Sequence, residues 1–228
     1  MKHALIIAGS RGLGSGLVRE YLSRGWHVTA TTRTPSDELV ALSRDAAGER
    51  LIIESLEVTS VAQTAALAAR LKGQSFDLLF LNPGIMVGLG SALSDVPESD
   101  VQNIFLTNAI GPIRVADALA HLVVPGGTIA FMSSDKGSVG TNDDGRVELY
   151  RASKAALNSL IRSFRARHGK DELTVLALHP GEVRTSMGRP DAPLDIDTSV
   201  RGLANVIELR WGSGGQAFVD YKNDIIPW

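Results

Sequence analysis

Short apolar runs alternate with longer amphipathic segments along almost the whole chain. The run Phe76–Leu81 is nearly continuous in apolar residues, as expected of a strand that is covered on both faces. The other runs that predict strands are residues 4–8, His27–Thr32, Leu51–Ser55, 128–132, 174–178 and 216–219. Helical periodicity predicts helices over residues 13–24, 61–71, 98–122, 150–168 and 198–209.

This alternation predicts an α/β fold. Strands separated by helices form a parallel sheet with helices on both faces, and right-handed crossovers favour a doubly wound, Rossmann-type sheet. The pattern shows neither a linker nor an internal repeat, so we expect one domain over residues 1–228. Two longer segments, 134–149 and 181–197, follow predicted strands. Ligands bind beyond the carboxyl ends of strands in such sheets, so these segments are candidate site walls.

Composition and charge narrow the function classes. The chain is 44% hydrophobic and 21% charged, with a net charge of -2. It has no basic run, which argues against a nucleic-acid partner. No stretch approaches the ~18 apolar residues of a membrane span, and the first residues resemble a buried strand more than a signal peptide. We therefore expect a cytoplasmic protein. Cysteine is absent, which excludes disulfides and thiolate metal sites, and we expect no metal.

A glycine-rich loop follows the first predicted strand. It consists of Gly9, Ser10, Arg11, Gly12, Leu13 and Gly14. Glycines here let backbone N–H groups approach a pyrophosphate, and the N-terminus of the next helix adds positive potential. A tight strand–helix turn gives the same spacing, and a methyltransferase or a flavin protein could begin in this way. The position in the first strand–turn–helix unit favours a dinucleotide site.

Tyr150 and Lys154 stand four residues apart at the start of a predicted helix. This spacing places the phenol and the ammonium on one face. A free tyrosine has a pKa of about 10, and a nearby lysine cation would lower it. Such a phenol can exchange a proton with an alcohol or carbonyl while a cofactor moves hydride. The alternative is a surface tyrosine with an exposed lysine one turn later.

These motifs together resemble the short-chain dehydrogenase/reductase family along essentially the whole chain. The resemblance implies hydride transfer between a nicotinamide cofactor and a small-molecule carbonyl or secondary alcohol. It also implies four catalytic residues. Ser134 would hold the substrate oxygen, and Tyr150 would exchange the proton. Lys154 would lower the pKa of the phenol and bind the nicotinamide ribose, and Asn108 would hold a proton-relay water.

The resemblance extends to further cofactor-binding segments. Asn82, Pro83 and Gly84 stand where the family has Asn-Ala-Gly, and Glu57 with Val58 falls where it has Asp-Val beside the adenine. The family segment that holds the nicotinamide carboxamide is matched through Pro180, Gly181, Val183 and Thr185.

Two departures from the family pattern affect the glycine loop and its neighbour. Ala8 stands at the family's first glycine, so we expect a negative φ there, with Gly9 carrying the turn. Ile7 and Leu81 replace polar residues of two neighbouring segments, which suggests a matched apolar pair.

Residues 150–158 and the ending 226–228 resemble a bacterial subgroup called C-factor-like. That name comes from a role in cell–cell signalling. The resemblance therefore leaves a second hypothesis open: a signalling or sensor protein that binds the cofactor without needing turnover. The complete set of catalytic residues favours the enzyme.

The end of the second strand indicates NADP rather than NAD. Sites that prefer NAD place an acidic residue there, where its carboxylate binds the ribose hydroxyls. Alignment with the family puts Thr32 at that position and Arg33 just after it, with Arg11 in the glycine loop. Two guanidiniums can clamp a 2′-phosphate. In the alternative interpretation both arginines are solvated, and NAD remains the second cofactor candidate.

Substrate and assembly are less specified. The segment 181–197 is shorter than the family's substrate-covering segment, which implies an open pocket, and residues 138–148 form the other candidate wall. Charged side chains in a loop such as 138–148 are more often exposed to solvent than in contact with a substrate. The helix 150–168 carries more apolar surface than one core-facing stripe requires. We therefore expect a homodimer or homotetramer formed through the helices 98–122 and 150–168, as is common in the family.

Overall fold

Seven strands pair in one all-parallel sheet of order β3-β2-β1-β4-β5-β6-β7. The structure, a computed structural model, describes residues 1–44, 48–168 and 172–228. The strands are β1 (His3–Ile7), β2 (His27–Thr32), β3 (Leu51–Ser55), β4 (Phe76–Leu81), β5 (Val123–Met132), β6 (Thr174–His179) and β7 (Gln216–Asp220). The strand order reverses between β1 and β4, as in a doubly wound sheet. The predicted fold class is confirmed.

Helices cover both faces of this sheet. They are α1 (Leu13–Ser23), α2 (Asp37–Leu42), α3 (Val61–Arg70), α4 (Glu98–Phe105), α5 (Gly111–Leu119), α6 (Glu148–Arg167) and α7 (Ile196–Leu209). One core contains Leu67, Val115 and Phe164 from α3, α5 and α6. The other contains Leu17 and Val200 from α1 and α7. Among the described residues, no helix is both long and apolar enough to cross a membrane.

Most predicted boundaries agree with the structure to within two residues, but β5, α2 and the long helix predicted over residues 98–122 differ. Strand β5 begins at Val123, five residues before the predicted start at residue 128. The added residues include Pro125, Gly126 and Gly127, and they lie beside an irregularity in the pairing with β4. Helix α2 was not predicted, because it is short. Its start is fixed by Ser36, whose Oγ accepts a hydrogen bond from the Leu39 amide.

The long helix predicted over residues 98–122 contains a π-turn, Leu106–Ile110, between α4 and α5. Pro112 explains this π-turn. In a regular helix the amide of residue 112 would donate to the carbonyl of Asn108, and Pro112 has no N–H to donate. The Gly111 amide instead reaches back five residues to the Leu106 carbonyl. The carbonyl of Asn108 is thereby released from its regular α-helical partner.

The central strands β1 and β4 meet through the predicted apolar pair. Ile7 and Leu81 face each other in register, and each is only 1% exposed. Their match is confirmed. The next residue, Asn82, donates its amide N–H to the Ile7 carbonyl at 3.2 Å and its side-chain N–H to the Ala8 carbonyl at 3.0 Å. The loops that follow the two strands are therefore tied together.

The turn after β1 differs from the expectation. Ala8 itself adopts a φ of 63°, in the left-handed region, and Gly9 does not carry the turn. The Ala8 amide donates to Thr31 Oγ1, which helps to hold this conformation. Gly9 is needed for space instead, since a Cβ there would lie 3.0 Å from the Ala30 Cβ. Similarly, a Cβ on Gly14 would lie 2.2 Å from the Ala8 oxygen.

We predict that Ala8→Gly stabilises the protein. A left-handed alanine costs about 1–2 kcal/mol, whereas glycine adds about 0.5–1 kcal/mol of unfolded-chain entropy. The net gain of up to about 1 kcal/mol should raise Tm in thermal unfolding by roughly 2–4 °C for a domain of this size. Ala4→Gly, in the buried part of β1, is the control and should lower Tm. A Tm that falls in Ala8→Gly as far as in Ala4→Gly would show that the left-handed conformation at Ala8 is not strained.

Candidate active site

The buried ammonium of Lys154 lies at the centre of the candidate site. Lys154 is 2% exposed, and its Nζ donates to the Met132 carbonyl at the end of β5 at 2.8 Å. The same Nζ lies 5.8 Å from the centre of the Tyr150 ring. Both side chains come from the first turns of α6, so their predicted placement on one face is what the structure shows.

Ser134 joins this pair from the end of β5. It is 8% exposed, its Oγ accepts a hydrogen bond from the Lys136 amide, and it donates to Asp135 Oδ1 at 3.0 Å. It also hydrogen-bonds with Tyr150. A serine hydroxyl, a phenol and an ammonium thus converge at the carboxyl end of one strand.

Burial dominates the proton affinities of this cluster. Desolvation raises the pKa of Tyr150 to about 12, a hydrogen bond with Ser134 acts in the opposite direction, and the charge of Asp135 raises the pKa further. Desolvation also lowers the pKa of Lys154 to about 8. The net shift of the Tyr150 pKa is therefore upward, opposite in direction to the lowering expected beside Lys154, because desolvation of the phenol is the largest effect. At neutral pH Tyr150 holds its proton.

Asn108 lies in the π-turn and is fully buried, so it does not face solvent. Its Nδ2 donates to the Ile85 carbonyl at 2.9 Å and to Ser153 Oγ at 3.0 Å, and its Oδ1 accepts from the Ile85 amide. The side chain therefore joins the segment after β4 to α6. With these bonds made, the backbone carbonyl is the group of Asn108 left to hold a water.

The glycine loop leaves the N-terminus of α1 open. Gly12, the N-cap, has a φ of 55° and no side-chain cap, and the first turn contains no acidic residue. The Gly14 and Ser15 amides donate to the Arg11 carbonyl at 3.1 and 3.4 Å, which closes the turn, and the N-terminus of the helix carries positive potential. Arg11 is exposed beside them, Leu13 packs on the core, and the Ser10 carbonyl accepts from Ser36 Oγ at 2.6 Å. The loop therefore fits a pyrophosphate.

The structure brings Arg33 and Glu57 together at the ends of β2 and β3. Arg33 Nη1 lies 3.5 Å from Glu57 Oε2, and the arginine side chain is 67% exposed. The other carboxylate oxygen of Glu57 accepts from the amide and hydroxyl of Thr59. The neighbouring Val58 is buried. Sequence analysis assigned both residues to the cofactor but did not predict that they pair.

One of the two segments assigned to the nicotinamide lies beside the lysine. Gly84, which follows Pro83, faces Lys154 so closely that a Cβ would lie 3.6 Å from Nζ and 4.0 Å from Met187 Cε. Met187 was not among the predicted site residues. Contacts within the protein fix the shape of the other predicted segment. There the Pro180 carbonyl accepts from Ser199 Oγ, Gly181 packs on Leu194, Val183 bridges to Leu194, and Thr185 Oγ1 accepts from the Gly188 amide.

The structure contains a cavity of about 380 Å³. It lies between the segment after β4 and residues 145–149, so the predicted wall 138–148 does line it. The charges of that wall are not simply solvated. Asp144 accepts from buried Arg151 at 2.7 Å and from the amide and guanidinium of Arg146. These bonds hold the pKa of Asp144 far below its usual range.

The geometry agrees with comparisons to known proteins. The sequence profile described as short chain dehydrogenase matches residues 2–193. The chain belongs to the short-chain dehydrogenase family.

Curated relatives of this short-chain dehydrogenase include the C-signal protein of Myxococcus xanthus. It is 39% identical over 154 residues, which cover 67% of this chain and 92% of that protein. A second relative is the 1-hydroxy-2-glutathionyl-2-methyl-3-butene dehydrogenase of Rhodococcus sp. strain AD45, 31% identical over 82% of this chain and 80% of that protein. The family resemblance found in the sequence is confirmed.

Solved structures of the family are similar over the whole length of this short-chain dehydrogenase. A short-chain dehydrogenase/reductase from Burkholderia multivorans with bound NADP has a TM-score of 0.96 and 42% identity, covering 100% of this chain and 99% of that one. A carbonyl reductase from Pseudomonas aeruginosa PAO1 in complex with NADP has a TM-score of 0.91 and 39% identity, covering 100% of both chains.

The contact between Asp144 and Arg151 predicts that the stability of the pocket wall in this short-chain dehydrogenase depends on pH. A carboxylate with a depressed folded pKa contributes stability above its unfolded pKa of about 4, and the contribution is lost as the pH falls below that value. We expect Asp144→Asn to expose the amides of residues 138–147 to hydrogen exchange at pH 7 and to lower Tm, because Arg151 loses its carboxylate.

Asp143→Asn is the matched control. Asp143 is exposed, so this change should leave both readouts unaltered. Equal exchange in the wild type and Asp144→Asn at pH 7 would show that the ion pair does not hold the wall.

Proposed function

We propose that this short-chain dehydrogenase transfers hydride between NADP(H) and a carbonyl or secondary alcohol. The observation that carries the proposal is the convergence of Ser134, Tyr150 and Lys154 beside Gly84 at the carboxyl ends of β4 and β5. The two similar structures with bound NADP, one of them named a carbonyl reductase, support the cofactor and the substrate class.

Each polar group has a distinct part in the reaction. Ser134 and Tyr150 would hydrogen-bond the substrate oxygen, and the nicotinamide, when bound, would supply or accept the hydride. In reduction, the proton passes from Tyr150 Oη to the developing alkoxide, which is a stronger base than a phenolate. Lys154, cationic at neutral pH, binds the nicotinamide ribose and stabilises the phenolate that forms. Nothing in this sequence of steps requires a metal.

The proton lost by Tyr150 is replaced through the π-turn. Pro112 cannot donate to the carbonyl of Asn108, so that carbonyl can hold a water. The Asn108 side chain, bonded to Ile85 and Ser153, keeps the turn in place. A water between this carbonyl and Lys154 would connect the active site to solvent.

The cofactor selectivity follows from the end of β2. Thr32 is buried, and its Oγ1 donates to the Thr34 carbonyl, so no carboxylate occupies the position that would repel a 2′-phosphate. Arg33 and Arg11 are exposed after neighbouring strands, where both can contact such a phosphate. Glu57 holds the Arg33 guanidinium near the end of the strand. NADP is therefore the preferred cofactor.

A second candidate function is signalling with little or no turnover. The similarity to the C-signal protein favours it. The two functions differ in whether Tyr150 is needed for turnover, so the tyrosine variant below distinguishes them.

Replacing the tyrosine tests the mechanism. Tyr150→Phe should lose at least about 100-fold in kcat for NADPH-dependent ketone reduction, the usual scale of acid–base catalysis, while NADPH binding persists. Lys154→Ala should reduce both kcat and NADPH affinity, because the lysine serves both. Tyr221→Phe is the control and should retain activity. Undiminished turnover in Tyr150→Phe would exclude the proposed mechanism.

Replacing the arginine tests cofactor choice. Arg33→Ala should reduce kcat/KM for NADPH by a factor that corresponds to about 1.5–3 kcal/mol of free energy, the usual contribution of a hydrogen bond to a charged group. The kcat/KM for NADH should be nearly unchanged. Thr32→Asp should shift preference toward NADH through repulsion of the phosphate. If the wild type prefers NADH and Arg33→Ala affects neither cofactor, the assignment of Arg33 is wrong.

Assembly through α6 remains a prediction. Of the apolar residues on this helix, Leu157, Ile161 and Phe164 are buried in the monomer, whereas Ala152 is exposed and Leu160 half-buried. We expect the remaining apolar face to pack on a second copy across a two-fold axis.

Sedimentation at micromolar concentration should therefore detect a dimer or larger species, and Ala152→Arg should shift it toward monomer. Ala65→Arg, an exposed alanine of α3, is the control and should leave assembly unchanged. A wild-type monomer would contradict the prediction.

A further inference from the structure

Val147 adopts a backbone conformation that its side chain disfavours. Its φ is 54° and its ψ is 44°, in the left-handed region, and it stands directly before α6 without a side-chain hydrogen bond to cap the helix. Three described residues other than glycine have a positive φ, and Val147 is the β-branched one among them. A β-branched residue at positive φ is strained, so contacts elsewhere must hold the backbone in this conformation.

Arg151 supplies these contacts from within α6. Its Nε donates to the Arg146 carbonyl at 2.9 Å, its Nη2 donates to Asp144 Oδ1 at 2.7 Å, and its amide donates to the Val147 carbonyl at 2.9 Å. The arginine side chain is only 7% exposed. A guanidinium is planar and its N–H groups point in fixed directions, so it holds the carbonyl and the carboxylate in a fixed relation to each other. One buried side chain therefore holds the turn 144–147.

Packing contributes little to holding this turn. Two cavities of about 380 Å³ each border it, and Gly145 and Glu148 line both of them. A cavity offers no partner atoms to the residues that line it, so van der Waals contacts are lost there. The position of the turn 144–147 depends on the hydrogen bonds of Arg151 instead.

The first of these cavities lies between the turn 144–147 and the segment after β4. Its apolar lining consists of Val87, Leu89, Leu93, Val96, Val147 and Leu149. Both walls lead along the chain to the candidate site, since Val87 follows Gly84 by three residues and Leu149 directly precedes Tyr150. The volume is within the range of small-molecule sites. A carbonyl compound held by Tyr150 can therefore place an alkyl group in this cavity.

We propose that Arg151 is a positioning residue, which holds the turn 144–147 in its strained conformation and thereby sets the width of the apolar cavity for the alkyl group of a ketone substrate. When its hydrogen bonds are lost, Val147 relaxes out of the left-handed region and the turn moves, so the cavity no longer encloses that group. The consequence for substrate choice rests on the proposed function, whereas the hold of Arg151 on the turn does not.

The first experiment measures hydrogen-exchange protection of the amides of residues 144–149 and needs no turnover. Arg151→Met keeps an unbranched side chain without donors. It should reduce the protection factors at least about tenfold, because hydrogen bonds of a charged group are lost and the turn opens. Adding Val147→Gly to Arg151→Met should recover most of this loss, because glycine adopts a positive φ without strain and the turn then closes without the arginine.

Val139→Gly is the matched control for the added glycine. Val139 is an exposed valine of the same wall, and its φ is not positive, so glycine there should recover no protection in Arg151→Met. Arg151→Lys should lose less protection than Arg151→Met, since an ammonium can still pair with Asp144. Unchanged protection in Arg151→Met would overturn the hold on the turn. A loss that Val147→Gly does not reduce would overturn the role of strain.

The second experiment compares kcat/KM for NADPH-dependent reduction of octan-2-one and butan-2-one. Each methylene that becomes buried is worth a factor of about four in affinity, so the wild type should favour octan-2-one. In Arg151→Met the ratio of the two kcat/KM values should fall at least about tenfold, chiefly through a higher KM for octan-2-one, because its chain is no longer enclosed.

General damage to the fold would lower kcat/KM for both ketones alike and leave their ratio unchanged. An unchanged ratio in Arg151→Met would therefore overturn the effect on the cavity. A wild type that reduces neither ketone would count against the proposed function and against the substrate choice that rests on it. The exchange measurement would still decide whether Arg151 holds the turn 144–147.

Discussion

The arrangement of the site depends on one crowded junction, where the loops after β1 and β4 meet at the point of strand reversal. The Ala8 carbonyl lies against Gly14 and accepts the Asn82 side chain, so the first helix, the glycine loop and the segment leading to Gly84 are fixed by one oxygen atom. The strands β1 and β4 are parallel neighbours, and the helices that follow them pack on opposite faces of the sheet. A crevice therefore opens between their two loops at this point. The apolar pair of Ile7 with Leu81 closes the base of that crevice without polar groups.

A second constraint is desolvation at the other side of the crevice. A lysine ammonium with only one protein acceptor among the described contacts, the Met132 carbonyl, is costly to bury. The same low-dielectric surroundings hold the proton on Tyr150 and make each nearby charge, including that of Asp135, more effective. The chemistry of the site is thus decided less by the lysine–tyrosine spacing than by how far water is excluded from both groups.

The sequence was sufficient to predict the strands, the sheet class and the residues that meet around Lys154, because these depend on periodicity and on local spacing. It failed at Ala8, since the positive φ of this residue is held by its amide donating to Thr31 and its carbonyl accepting from Asn82, contacts that no local pattern reveals. It also could not predict the direction of the Tyr150 pKa shift, which depends on burial. The pairing of Asp144 with Arg151 was missed for a related reason, because loop charges carry no periodicity.

The pairing of Arg33 with Glu57 has a consequence for the dynamics of recognition. A free, exposed arginine samples many rotamers, and ordering it on a ligand costs conformational entropy. An exposed ion pair such as this one contributes only about 0–1 kcal/mol to stability, yet it restricts the rotamers of the arginine before the ligand binds. A doubly charged phosphate can displace the Glu57 carboxylate at little cost in free energy. Screening by salt would weaken the ion pair and let the Arg33 side chain sample more rotamers. If the 2′-phosphate of NADP binds to Arg33 as proposed, Glu57 would hold the guanidinium in place until that phosphate binds, and cofactor selectivity would depend on the ionic strength of the solution as well as on the protein.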